Sequence, residues 1–273
     1  MRTTKRRIRK MSRTKVIAFA NNKGGSGKTT TCSNVGLAMA KAGKKVLLID
    51  GDMQLNLTLS FFDEERALGF ATEEKNIHTA IKGEKDLSDF VVETQYEGLD
   101  IVPSSSLMSA IEYDLFTKWQ REFILRKCLS PILARGYYDY VLIDAPPTLG
   151  GWVMNILAVS DFIIIPVEAS PWGLFGLANM FDFIGQVQAL NPKLEVMGIA
   201  ITKADERKSY FKQTYETLKE FEAARLFNTY IRIDSAVEWA QDNSQPVVAY
   251  KRYSRSAIEY TKLAKEIIEY ANR

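Results

Sequence analysis

Asn22-Lys23-Gly24-Gly25-Ser26-Gly27-Lys28-Thr29-Thr30 is the stretch that decides the fold. Before it runs Val16-Ile17-Ala18-Phe19-Ala20, an apolar segment of strand length. After it, residues 28–42 have helical character and Gly43 supplies a stop. Strand, glycine-rich turn and helix in that order are the setting of a phosphate-binding loop. The glycines let backbone N–H groups turn inward around a phosphate, and the helix N-terminus adds positive potential. Lys28 is then placed to neutralise the outer phosphates of a nucleotide, and Thr29 to offer its hydroxyl to Mg²⁺. The common G-x-x-x-x-G-K-[ST] spacing puts glycine at position 22. Asn22 stands there instead, followed by Lys23 and paired glycines. A plain Gly/Ser turn is the alternative, and it leaves the in-register Lys-Thr pair unexplained.

Working outward, apolar runs predict strands at 45–50, 99–103, 138–144, 161–167, 194–202 and 226–231. Helical periodicity predicts helices at 113–135, 172–190, 205–224 and 255–271. Strands alternating with helices of this length imply an α/β fold: a single-domain P-loop NTPase with a mostly parallel twisted sheet, helices on both faces. No internal repeat or low-complexity linker divides the chain. The expected organisation is a flexible basic tail over 1–14 and one P-loop domain over 15–273. The segment 57–98 gives no clear pattern. Phe61, Phe62 and Trp119 are core or a partner-docking surface, and Trp152 and Trp172 are core or dimer interface.

Of 273 residues, 46% are hydrophobic and 25% charged, a globular composition that excludes global disorder. No apolar run approaches the roughly 18 residues of a membrane span, and no secretory signal is visible. Cys32 and Cys128 stand too far apart in sequence for a CxxC pair and are too few for a disulfide framework. The lone His78 disfavours a histidine metal centre or a Ser-His-Asp triad and reads as surface or structural. Hydrolytic chemistry therefore falls to carboxylates, lysines or a bound metal.

The net charge is +3, but residues 1–15 hold eight cations and no anion, so the remainder carries −5. Such a run is a solvated tail or an arm for nucleic acid or another polyanion. Eight phosphate contacts would give a salt slope of about −7 as an upper bound. Met11 offers an alternative start.

The loop KGGSGKTT resembles the deviant P-loop of the ParA/MinD ATPases, whose early signature lysine reaches across a nucleotide-sandwich dimer. Other segments fall in that family's order. Asp50-Gly51-Asp52-Met53-Gln54 resembles its D-x-D-x-Q segment, and Asp144-Ala145-Pro146-Pro147 its Walker B end. Residues 163–168, 198–205 and 237–246 are similar to its later strand ends and C-terminal third. The resemblance spans about 14–272 and is nearest to ParA/Soj-like partition ATPases without an N-terminal helix-turn-helix domain.

The resemblance implies slow ATP hydrolysis with ATP and Mg²⁺, in a homodimer formed when ATP is bound. It makes Lys23, Lys28 and Asp52 catalytic. Lys23 serves the other subunit's phosphates as an arginine finger does, and Asp52 orients the attacking water. Thr29, Asp50 and Asp144 attend the metal, Asp144 through a water. Asp50 and Asp52 are two apart, so a regular strand would put them on one face. The alternative for each is a turn or helix cap. Nucleotide contacts are carried onto Lys23, Gly24, Gly25, Ser26, Gly27, Lys28, Thr29 and Thr30, with a base pocket at Thr202, Lys203, Asp205, Ile231 and Arg232. The family commonly has proline where Arg232 stands.

The function implied is partition of plasmid or chromosomal DNA, by nonspecific double-stranded DNA binding and hydrolysis stimulated by a ParB-like centromere-binding partner. The expected location is cytoplasmic and nucleoid-associated. Candidate DNA cations are Lys203, Arg207, Lys208, Lys212, Arg225, Lys251, Arg252 and Arg255, several interleaved with Tyr210, Phe211, Tyr250 and Tyr253. No room precedes Val16 for a helix-turn-helix. A MinD-like membrane switch would need a basic amphipathic C-terminal extension. The last helix instead places Ala257, Tyr260, Thr261, Ala264, Ile267, Ile268 and Ala271 on one face, as a core-docked helix does, so a membrane is not the first choice. The iron–sulfur branch needs paired interface cysteines that Cys32 and Cys128 do not supply. Positioning of a protein cargo remains a further alternative.

Overall fold

The computed structural model describes residues 13–170, 174 and 176–273. The basic run over 1–12 and Trp172 lie outside the described residues. Seven strands are present: β1 Lys15–Phe19, β2 Val46–Asp50, β3 Val92–Glu93, β4 Leu99–Val102, β5 Tyr140–Asp144, β6 Phe162–Glu168 and β7 Glu195–Thr202. They form one sheet in the order β3-β4-β2-β5-β1-β6-β7. Every pairing is parallel except the short edge strand β3 against β4. The helices are α1 Lys28–Lys41, α2 Asn56–Leu59, α3 Glu64–Thr72, α4 Ile77–Gly83, α5 Ile111–Phe116 and α6 Ile124–Arg135. They continue as α7 Gly151–Val159, α8 Leu177–Gln188, α9 Ser209–Lys219, α10 Ser235–Asp242, α11 Val247–Tyr250 and α12 Arg255–Ala271.

A parallel sheet buried on both faces needs strands apolar throughout, and β2 and β5 are buried at every position. Alternate residues then serve two cores. Val16, Ala18, Leu47, Ile49, Val141 and Ile143 face a core that takes in Leu129 of α6, Ile156 of α7 and Met180 of α8. Ile17, Phe19, Leu48 and Leu142 face the other, with Val35 of α1 and Leu263 and Ile267 of α12. The last helix is core-docked, as its periodicity predicts.

The sequence expectations need four corrections. The strand expected at 226–231 is absent. The segment makes only isolated contacts with β7 and its end: the bridges Ile199–Leu226 and Ala204–Arg232, and hydrogen bonds from the Phe227 and Ile231 N–H groups to the Ile199 and Ile201 carbonyls. The Glu266 carboxylate takes the Asn228 and Thr229 N–H groups at 3.0 and 2.8 Å, which withdraws them from any ladder. The helix expected over 113–135 breaks between α5 and α6, with Gln120 at φ 51°. The Asn155 side chain from α7 fills the break, donating to the Arg121 carbonyl at 2.7 Å and accepting from the Leu125 N–H at 3.1 Å. The helices expected over 172–190 and 205–224 are shorter, at α8 and α9, while that over 255–271 is α12. Thr14 already belongs to the body, buried and bonded to the Tyr138 carbonyl at 2.7 Å.

The undecided segment resolves into α2, α3, α4, a short 3₁₀ turn and β3. Phe61 packs edge-on to Tyr96 and Phe62 to Phe70, while Trp119 is 87% exposed. Trp152 is core. His78 is buried and bonded to Asp114 at 2.8 Å, a structural role.

Helix α1 lies close on the sheet at Gly36, where a Cβ would stand 2.7 Å from Leu48 Cδ2. Gly36→Val should therefore lose about 1–3 kcal/mol of unfolding free energy in urea titrations, with unchanged m.

Candidate functional site

Three adjacent strands end together. Asp144 of β5 is the direct partner of Asp50 of β2 on one side and of Phe19 of β1 on the other. The loop after β1, the turn after β2 and the Ala-Pro-Pro after β5 therefore converge at the carboxyl edge, where open α/β sheets bind ligands. A cleft of about 810 Å³ opens there. Its walls include Gly24 to Thr30, Asp52, Pro147, Thr202, Lys203, Ile231 and Arg232.

The loop is built as an anion cradle. Gly27 precedes α1 at φ 85°, a left-handed conformation, and no side chain caps the helix there. The first N–H groups of α1 are left for a ligand. Surrounding elements brace the loop. The Thr202 hydroxyl donates to the Ser26 carbonyl at 2.8 Å and packs where a Gly27 Cβ would stand. Asn21 reaches the Pro166 carbonyl at 2.6 Å, and Gln241 reaches the Thr30 hydroxyl at 3.2 Å. Thr202 thus lines the cleft while its hydroxyl supports the loop.

The two loop lysines diverge. Lys28 is buried and lines the cleft, its ammonium donating to the Lys23 carbonyl at 3.1 Å. Burial lowers its pKa, and the charges of Asp144 and Asp52 pull it back up. The Lys23 ammonium turns instead to the end of β6, 3.0 Å from Glu168 and 3.1 Å from the Ser170 hydroxyl.

The carboxylates differ in what they touch. Asp144 is fully buried, and neither oxygen has a hydrogen bond of ordinary geometry. Burial pushes its pKa well up, the nearby Asp50 charge adds to this, and the Thr29 hydroxyl and Lys28 ammonium oppose it. Asp50 spends its oxygens on the Thr58 N–H and hydroxyl, at 2.8 and 2.7 Å, and on the Asp52 N–H at 3.2 Å. Its pKa rises to about 6, chiefly through burial. Asp52 lines the cleft and accepts the Gln54 N–H at 3.1 Å. The premise that Asp50 and Asp52 share a strand face does not hold, because β2 ends at Asp50 and the chain turns at Gly51. Asp50 faces inward as the turn's anchor, and Asp52 faces the cleft.

The residues present fit a nucleotide–Mg²⁺ pair. The glycine cradle and the orphaned Ser26 hydroxyl line the cleft, and the two orphaned Asp144 oxygens lie buried at the end of β5 beside the loop. Among the described residues no group of three His, Cys, Asp or Glu could hold a metal unaided. That suits an ion whose remaining ligands are phosphate oxygens and water.

The base end is partly as expected. Ile231, Arg232 and Lys203 line the cleft, and Asp205 does not. Asp205 is turned aside by Arg207, whose guanidinium grips it at 2.8 and 2.9 Å and holds its pKa down to about 2. Arg232 is itself engaged, donating to Glu259 from both backbone N–H and side chain and to Glu206 at 3.2 Å. The wall supplied by α10, with Val237, Glu238 and Gln241, went unassigned in sequence because nothing in its spacing marks a cleft.

Of the candidate DNA cations, Lys203, Arg207, Lys208 and Lys212 are exposed along the end of β7 and α9. Lys251, Arg252 and Arg255 are exposed around the α11–α12 turn. The two groups are linked through the Ala204–Arg232 bridge and a hydrogen bond from Arg255 to the Ile233 carbonyl. Arg225 stands apart, stacked on Phe227 and Tyr270 at 4.7 and 4.6 Å.

A family model described as an AAA domain matches residues 14–196. The chromosome partitioning protein ParA of Caulobacter vibrioides is 33% identical over 255 residues, 93% of this chain and 94% of that protein. Among solved structures, the cobyrinic acid a,c-diamide synthase of Mycobacterium smegmatis with bound ATP analogue and magnesium superposes with a TM-score of 0.81. It is 28% identical, over 94% of both chains. A plasmid partition protein of Borrelia burgdorferi bound to AMPPNP gives 0.76 at 26% identity, over 94% of this chain and 98% of that one.

Burial, with the nearby Asp50 charge adding to it, makes Asp144 costly when ionised. Its folded pKa lies above the unfolded one, so the stability it contributes is present at low pH and lost as pH rises. Asp144→Asn, which mimics the protonated acid, should gain about 1–4 kcal/mol at pH 7.5 without nucleotide or metal. In urea denaturation across pH, that gain should shrink toward pH 4.

Proposed function

The chain belongs to the ParA/MinD-type family of partition ATPases, and from that premise we propose that it is an ATP-dependent dimerising switch for DNA partition. The observation that carries the reading is the divergence of the two lysines, Lys28 into the cleft and Lys23 out of it. A cation turned away from its own site is spare there and available to a second copy.

ATP is the substrate and Mg²⁺ its counterion, supported by the cradle, the orphaned Asp144 oxygens and the ligands of the M. smegmatis and B. burgdorferi neighbours. Bound Mg²⁺ supplies positive charge at the β- and γ-phosphates. The chain's own groups do the rest. Loop amides and Ser26 surround the phosphates, and Lys28 neutralises them. Thr29 and Asp144 would hold the ion when it binds. Asp50 fixes the turn and adds negative charge behind Asp144. Asp52 faces the cleft, where it orients the attacking water. Lys23 of a second copy completes the charge stabilisation, which makes unassisted turnover slow.

The exposed cations of α9 and the α11–α12 turn supply a sequence-independent phosphate-binding face. Nonspecific double-stranded DNA is the proposed track. A ParB-like centromere-binding protein is the proposed stimulator, in a cytoplasmic, nucleoid-associated setting. The similarity to ParA of C. vibrioides supports this reading.

Co-sedimentation with nonspecific duplex DNA tests it. Binding should require ATP, disappear in Lys23→Ala and persist in Asp52→Ala. Binding that ignores nucleotide and vanishes in a chain starting at Ser12 would reduce the claim to polyanion attraction. ATP-dependent binding to anionic liposomes alone would transfer it to a membrane switch.

Lys23 must leave Glu168 before it can serve a second copy. A part-exposed ion pair is worth about 0.2–1 kcal/mol. Glu168→Gln should tighten ATP-dependent dimerisation by about two- to five-fold in analytical ultracentrifugation.

A further inference from the structure

The turn Asp50-Gly51-Asp52 is held from outside the cleft. The Gly51 N–H donates to the Asp144 carbonyl at 3.0 Å, and the Gly51 carbonyl accepts from the Trp152 indole N–H at 2.9 Å. No side chain fits at position 51, where a Cβ would stand 2.7 Å from the Asp144 carbonyl oxygen. Both peptide groups of Gly51 are thus committed, one to β5 and one to α7.

Trp152 is itself held at the backbone. Helix α7 has no side-chain cap of its own at Gly150. Glu112, on α5, replaces it, accepting the Gly151 and Trp152 N–H groups with one carboxylate oxygen each at 3.0 Å. This explains the paired glycines. A Cβ would stand 2.4 Å from Glu112 at position 150 and 2.9 Å at 151, so the carboxylate approaches only because both lack one. An anion at a helix N-terminus is favoured electrostatically as well.

We propose that Glu112 and Trp152 are positioning residues for hydrolysis, fixing Asp52 through α7 and the Gly51 carbonyl. The chain of contacts runs from the exposed Glu112 to the buried indole and then to the turn that aims Asp52. It bypasses the phosphate loop, so nucleotide affinity and turnover separate. The proposal rests on the reading of Asp52 as the residue that orients the attacking water.

The test uses the full chain with Glu112→Gln, Glu112→Ala and Trp152→Phe, the last keeping an aromatic ring without the donor. Steady-state ATP hydrolysis on DNA should show kcat lowered between about 10- and 100-fold in Trp152→Phe and Glu112→Ala. KM and ATP-analogue affinity should stay within about two-fold. The double variant should be no slower than the slower single one, because the contacts act in series. Hydrogen–deuterium exchange should quicken over 50–58 in Glu112→Ala and stay unchanged over 23–30. Unchanged kcat in both variants, or affinity falling in step with kcat, would overturn the proposal. So would exchange that quickens equally over both segments. A wild-type chain that binds ATP without hydrolysing it defeats the function reading instead. The exchange pattern then still decides whether Glu112 holds the turn.

Discussion

Three carboxylates meet at the ends of two neighbouring strands, and the rest of the site answers to that constraint. Parallel pairing of β2 with β5 sets Asp50 opposite Asp144, and the turn after β2 brings Asp52 to the cleft. Burial resists ionisation of Asp50 and Asp144, and the Asp50 charge adds to the effect on Asp144. The fold satisfies one of them internally: Asp50 takes three donors from Thr58 and Asp52. Asp144 is left without ordinary hydrogen bonds, as a ligand awaiting a cation would be.

The loop across the cleft is held from several elements. A glycine-rich turn alone would sample many conformations. Thr202 from β7, Asn21 at the end of β1 and Gln241 from α10 hold it at separate points. The same carboxyl edge thus supplies the charges, the amides and their supports. The membership of the ParA/MinD-type family fits this economy, since one sheet edge carries nearly all the specific chemistry.

Much of this was legible in the sequence, and the failures have local causes. The phosphate loop and Asp144 were readable because strand, turn and helix are encoded in consecutive residues. The parallel strands were readable because burial on both faces demands continuous apolar runs. The strand expected over 226–231 failed because Glu266, 37 and 38 positions away, takes the backbone donors that a ladder needs. The unbroken helix over 113–135 failed because Asn155 stabilises the break from another element. Asp205 stands outside the cleft wall because Arg207, two residues on, engages its carboxylate. Glu112 was invisible, since Gly150-Gly151 signals a close approach but not what approaches. In each case a long-range or competing side chain outweighed local pattern, which a one-dimensional reading does not contain.

Arg232 shows the same principle inside the cleft wall. Proline, the residue that the resemblance leads one to expect there, would bring no N–H. Arginine adds a backbone donor and a guanidinium at the cleft wall. Glu259 of α12 answers both, accepting the Arg232 N–H at 2.8 Å and the side chain as well, with Glu206 as a second counter-charge. The substituted position therefore presents no free backbone donor to the cleft, as proline would not. The side chain is drawn toward two carboxylates and away from a base. What looks in sequence like a lost contact is in the structure a compensated one. Glu259, buried on a helix packed against α1, ties the base end of the cleft to the helix that begins at the phosphates.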